Sequence, residues 1–142
     1  MVVFDMKKIV ALCLALMLVL SMGGCSKGNV NNVSIIDWKS SEIYSDEDIQ
    51  SAITVVKDYF KSEFEGCTLT SINYPGDSSA GEFNRWAEQY KADEAIVLYS
   101  SFDVDASGGD GSLNPNSTYN NWKWVLTRSE NGSWEHKTHG YG

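Results

Sequence analysis

Cysteine is scarce in this chain, and so is positive charge. Only Cys13, Cys25 and Cys67 occur in 142 residues. Lysine and arginine total 11 against 19 aspartates and glutamates, a net charge of −8. That balance excludes a nucleic-acid binder, which needs clustered Lys and Arg for phosphates, and it disfavours direct docking onto anionic lipid. No phosphate loop, no nucleophile motif and no internal repeat is visible. The apolar run Ile9 to Leu20 has twelve residues, a helix of about 18 Å against a hydrocarbon core of about 30 Å, so it is too short to span a membrane.

What is present at the start is a leader pattern. Lys7 and Lys8 precede the apolar run, whose length suits the hydrophobic region of a signal peptide. Gly23 and Gly24 then lead into Cys25. The stretch "SMGGCSKG" resembles a bacterial lipobox, with small residues at −2 and −1 and Met22 where leucine is usual. The resemblance implies a lipid on the Cys25 thiol and cleavage that makes Cys25 the amino terminus, so residues 1–24 read as a lipoprotein signal peptide. Two or more acyl chains give stable anchoring, which places the protein outside the cytoplasm, held to the bacterial cell membrane. The plainer alternative is a secretory leader cut nearby, with Cys25 incidental.

Cleavage before Cys25 leaves 118 of the 142 residues, enough for one domain with a modest core. Asp5, Lys7 and Lys8 go with the leader, taking the net charge from −8 to −9. With Cys13 removed and Cys25 acylated, Cys67 has no disulfide partner and reads as a small buried hydrophobe. The polar, Asn-rich "SKGNVNNVS" reads as a flexible tether, so 25–44 is expected to be lipidated cysteine plus tether and 45–142 the domain.

The clearest element is a helix from Asp46 to about Phe64. Ser45 suits its N-cap, Asp48 approximates a capping box, and Tyr44 and Ile49 have the spacing of a hydrophobic staple. Ile49, Ile53, Val56, Phe60 and Phe64 form one apolar stripe. "CTLTSINY" reads as a strand ended by Pro75, "EFNRWAEQYK" as a short helix with Phe83, Trp86 and Tyr90 on one face. "EAIVLYSSFDV" is apolar on both sides, Ile96, Leu98 and Phe102 against Val97 and Tyr99, as a central strand would be. "TYNNWKWVLTR" and "SWEHKT" read as a hairpin. A three-residue loop, Glu130-Asn131-Gly132 with Gly132 left-handed, puts Trp122, Trp124, Leu126, Trp134 and His136 on one face. Lys123, Thr127, Glu135 and Lys137 are then expected on the solvent side.

From "SDEDIQSAITVVKDYF" through "FEGCTLTSINY" to the closing W-x-W…N-G-x-W hairpin, residues 45–142 resemble small lipoprotein domains of Gram-positive bacteria that look like members of the nuclear-transport-factor-2-like superfamily. That resemblance implies an α+β fold in which a long N-terminal helix packs on a curved, mainly antiparallel, cone-like sheet. Domains of this kind often pair through the open sheet face, so a homodimer is a further expectation. The fold itself hosts unrelated functions.

Tyr99, Trp122, Trp124, Trp134 and His136 are the candidate lining of a ligand pocket, because aromatic rings stack on flat rings and sugar faces. The plainer reading is that they fill the core. Asp103, Asp105, Ser107 and Gly108 match the first positions of a calcium loop, but Asn114 stands where a bidentate carboxylate is needed. His136 and His139, three apart on a strand, are expected on opposite faces and so unable to share a metal. No metal or cofactor is implied. The expected function is a lipid-anchored surface domain that binds a small molecule or a protein partner without catalysis. The alternative is an isomerase or hydratase using a carboxylate in the pocket, with Asp103 the nearest candidate.

Overall fold

Ser45 starts the first helix as its sequence requires. Its Oγ accepts from Asp48 N at 3.1 Å, and Asp48 Oδ2 accepts from Ser45 N at 3.2 Å, so two amide groups at the helix start are satisfied reciprocally. This helix, α1, runs Asp46–Glu63 and is capped by Phe64. The computed structural model of the chain describes residues 27–36 and 40–141. The leader 1–24 and Cys25 lie outside the described residues. Among those described, no helix is long and apolar enough to cross a membrane.

The chain is α+β. One five-stranded sheet has the order β1 (Ser34–Ile36), β2 (Cys67–Asn73), β3 (Glu94–Val104), β4 (Thr118–Arg128), β5 (Glu135–Tyr141). The β1–β2 pair is parallel and the other three pairs are antiparallel. β3 is central, as its two apolar faces predict. On one face α1 buries Ile49, Ala52, Ile53, Val56 and Phe60, with the Phe60 ring 5.7 Å from Phe102. Each large apolar side chain so buried contributes roughly 1.5–3 kcal/mol.

The second helix, α2 (Ala80–Tyr90), covers the other face. Glu82 on α2 meets Lys123 Nζ at 2.8 Å and accepts from Tyr99 Oη at 3.3 Å, and Tyr99 and Lys123 are cross-strand partners. One expectation is corrected here. Glu135 does share a face with Thr127, its cross-strand partner, but that face is not a solvent side at Lys123 and Thr127: α2 lies over it there, Lys123 is half-buried and Thr127 buried. The second apolar face of β3 lies against this chain's own helix α2.

The segment read as a tether also behaves differently. Residues 27–36 run along the domain: Gly28 N donates to Lys61 O at 2.9 Å, Asn29 bridges Thr68, and β1 pairs with β2. Gly28 is required at its place. A Cβ there would lie 2.3 Å from Phe60 O, so only glycine lets the strand pass so close to the end of α1.

Three β-bulges shape the sheet. Register shifts fall between Leu69 and Ser71 on β2, opposite Ser100–Phe102 on β4, and opposite Val125–Leu126 on β5. Each inserts one residue and resets the alternation, so residues three apart share a face: Leu69 with Ile72, Tyr119 with Trp122, His136 with His139. Asn121, at φ 55°, sits in the second bulge.

The β4–β5 connection is longer than predicted, Ser129 to Trp134, and its left-handed residue is Asn131 at φ 57°, not Gly132. The expected facing survives: Leu126 is opposite His136, and Trp134 turns toward α1 from the loop, its Nε1 donating to Asp48 O at 3.0 Å.

Candidate ligand cleft

The end of α1, the start of β2 and the β3–β4 loop meet over β4 and β5. They enclose a cleft of about 400 Å³ lined by Tyr59, Glu63 and Phe64, by Glu65 and Cys67, by Gly109, Asp110, Ser112 and Leu113, and by Trp122, His139 and Gly140. Gly109, at φ 68°, lets the loop lie against the Glu65 carbonyl and the Cys67 sulfur. Further along, Asn114 N donates to Tyr119 Oη at 3.0 Å and ties the loop to β4.

The wall of the cleft is aromatic. Phe64 and Trp122 meet at 6.3 Å and 89°, Phe64 and His139 at 5.3 Å and 61°, and Tyr59 and Phe64 at 6.4 Å and 66°. Trp122 and His139 are stacked at 5.9 Å. Behind them Tyr59 lies 4.0 Å from His136, and His136 Nε2 is 3.1 Å from His139 Nδ1. The facing predicted for the two histidines is therefore overturned, since the bulge at Lys137 returns His139 to the α1 side. Burial, reinforced by the neighbouring His139, pushes His136 down to about 4, and burial also lowers His139. With both rings shifted toward the neutral form, the contact is a single N–H···N hydrogen bond in which one ring donates and the other accepts according to their tautomers.

Of the five candidate pocket residues, the structure groups Trp122, Trp124 and His136. Trp122 lines the cleft, His136 backs it, and Trp124 is fully buried beneath, its Nε1 donating to Ser100 Oγ at 2.8 Å. Tyr99 faces α2 on the opposite side of the sheet. Trp134 sits at the far end of α1, where its ring lies 4.2 Å from the Arg128 guanidinium carbon. Sequence reasoning missed Tyr59, Glu63 and His139. Tyr59 adjoins Phe60 on the predicted stripe, which was a usable signal; His139 was misplaced by strict alternation.

No family model, no curated protein and no solved structure matches this chain. Its site is read from its own chemistry. Trp86, Trp124 and Trp134 each donate their indole N–H, whereas the buried Trp122 Nε1 has no partner among the described residues. An unpaired buried donor costs about 1–3 kcal/mol, a destabilisation the fold carries beside this cleft.

Cys67 is poorly placed to act as a nucleophile. Burial, and then the charges of Asp105 and Asp110, push the Cys67 thiol up to about 11. The calcium-like loop uses its carboxylates locally: Asp105 accepts from Ser107 N and Oγ, Asp110 from Ser112 N at 2.9 Å, and Asp103 from Thr118 Oγ1 at 2.6 Å. Among the described residues no three His, Cys, Asp or Glu side chains are grouped to hold a metal ion.

Proposed function

We propose that this chain is a lipid-anchored, extracytoplasmic binding module of nuclear-transport-factor-2-like build, in which the cleft beside Trp122 receives a small ligand without catalysis. The lipid anchor rests on the lipobox-like stretch ending at Cys25. The superfamily reading leans on the α+β arrangement alone, one mainly antiparallel five-stranded sheet with the 18-residue α1 on one face.

The observation that carries the binding reading is the cleft itself: about 400 Å³ walled by Tyr59, Phe64, Trp122 and His139. That volume suits one small molecule. The isomerase reading has less support. Asp103 is exposed and hydrogen-bonded to Thr118, and the cleft's own carboxylates belong to the exposed Glu63, Glu65 and Asp110.

Titration of the folded protein with a panel of metabolites and short glycans, followed by tryptophan emission in wild type and Trp122→Phe, tests the module. A response present in the wild type and reduced in Trp122→Phe supports it; a flat response to the whole panel counts against it. The anchor is tested separately, by the mass of the amino-terminal peptide from membrane-extracted protein, where an unmodified Cys25 thiol would remove it.

A further inference from the structure

The cleft couples an aromatic wall to a rim of one charge sign. Glu63, Glu65 and Asp110 stand at its edge, and among the described residues neither lysine nor arginine lines it. Its rings meet at steep angles, so they act as walls instead of one flat platform. The faces of Trp, Tyr and Phe carry negative quadrupole charge and attract a cation within about 6 Å of their centroids. The whole chain adds a net charge of −8, which raises the local concentration of cations and repels anions. A carboxylate or phosphate ligand would face three like charges with no counter-charge on the lining.

We infer that the cleft takes a compact organic cation, an ammonium or quaternary ammonium group seated against Tyr59, Phe64 and Trp122 with Glu63, Glu65 and Asp110 supplying the counter-charge. This deepens the binding reading above and rests on it. The pairing explains a division of labour in the lining. Phe64 is nearly buried and gives a rigid floor, while the three acidic side chains stay exposed to water at the rim. His139 fits the same ligand as a neutral wall, adding a ring without adding a repelling charge.

Choline and its uncharged isostere 3,3-dimethylbutan-1-ol separate charge from shape. In calorimetry at low ionic strength, choline is expected to bind about tenfold more tightly than the isostere. The double variant Glu63→Gln/Glu65→Gln, whose substitutions are on exposed side chains, is expected to weaken choline about threefold or more while its circular dichroism stays native. Equal binding of the two probes would overturn the inference, as would unchanged choline affinity in the double variant. If choline fails and an uncharged or anionic panel member binds through Trp122, the charge class falls and the binding module stands. If nothing binds, both fall.

Discussion

His136 Nε2 and His139 Nδ1 lie 3.1 Å apart although three strand positions separate them. Regular alternation would send them to opposite faces, so the contact exists only because Lys137 is the extra residue of a bulge. The two rings are wedged between Tyr59 of α1 and Trp124 of β4, which makes them a neutral link between helix and sheet.

That link is sensitive to acid. Burial favours the neutral rings in the folded state, so between about pH 6.5 and 4 the unfolded chain binds protons that the folded chain refuses. Stability from His136 is whole above about pH 6.5 and falls as the pH drops toward its folded value of about 4. Because the ring retains some solvent contact, the expected loss by pH 5 is on the order of 1–2 kcal/mol. Urea midpoints at pH 7.5 and pH 5 measure it, and His136→Gln is expected to flatten the difference. A wild-type midpoint that does not move would contradict the burial of the pair.

Arg128 is the second link. Its Nε meets Glu94 Oε2 at 2.6 Å, a terminal nitrogen meets Asp48 Oδ1 at 2.8 Å, and Trp134 covers its guanidinium. It thereby joins the start of α1, the start of β3, the end of β4 and the loop that follows. Its hydrogen bond to Asp48 is the main reason that carboxyl is held below its usual range. Arg128→Met is expected to cost about 2–3 kcal/mol, less than a fully buried pair because both carboxylates keep partial water contact. Arg128→Lys is expected to recover less than half of that, since an ammonium cannot fork between two carboxylates and stack on an indole. Denaturation midpoints decide; a lysine variant as stable as wild type would refute the forked geometry.

Gly28 offers a test of how firmly the amino-terminal segment is attached. An added Cβ must displace the Phe60 carbonyl or lift the segment off α1. Gly28→Ala is expected to cost about 1–3 kcal/mol, as overpacking does, and to speed proteolysis within residues 27–36. Unchanged stability and unchanged cleavage would mean that the segment is not bound in solution.

The elements were legible in the sequence, while the interruptions within them were not. Ser45 and Asp48 announce the capping box, and the stripe from Ile49 to Phe60 announces the buried face of α1. The two apolar sides of Glu94–Val104 announce a central strand. Bulges leave a weaker trace. Lys137 and Thr70 look like ordinary strand residues, and only Asn121, a residue type that tolerates a left-handed backbone, hints at its irregular place. Every misplaced site residue on β5 follows from that silence. Tyr99 and Trp134 were misgrouped for another reason: composition reveals that large rings must pack, and not which end or face of the sheet will take them. The polar makeup of 27–36 misled in turn, because its attachment runs through backbone hydrogen bonds and a missing side chain at Gly28, neither of which hydropathy records.

The nesting of Gly28 on the end of α1 also sets the length of leash. Three residues of extended chain from Cys25 reach at most about 11 Å. With a lipid on Cys25, the end of α1 that borders the cleft would be held near the bilayer, and Trp134, packed at the start of α1, farther from it. A quencher fixed at headgroup depth should then dim Trp122 before Trp134.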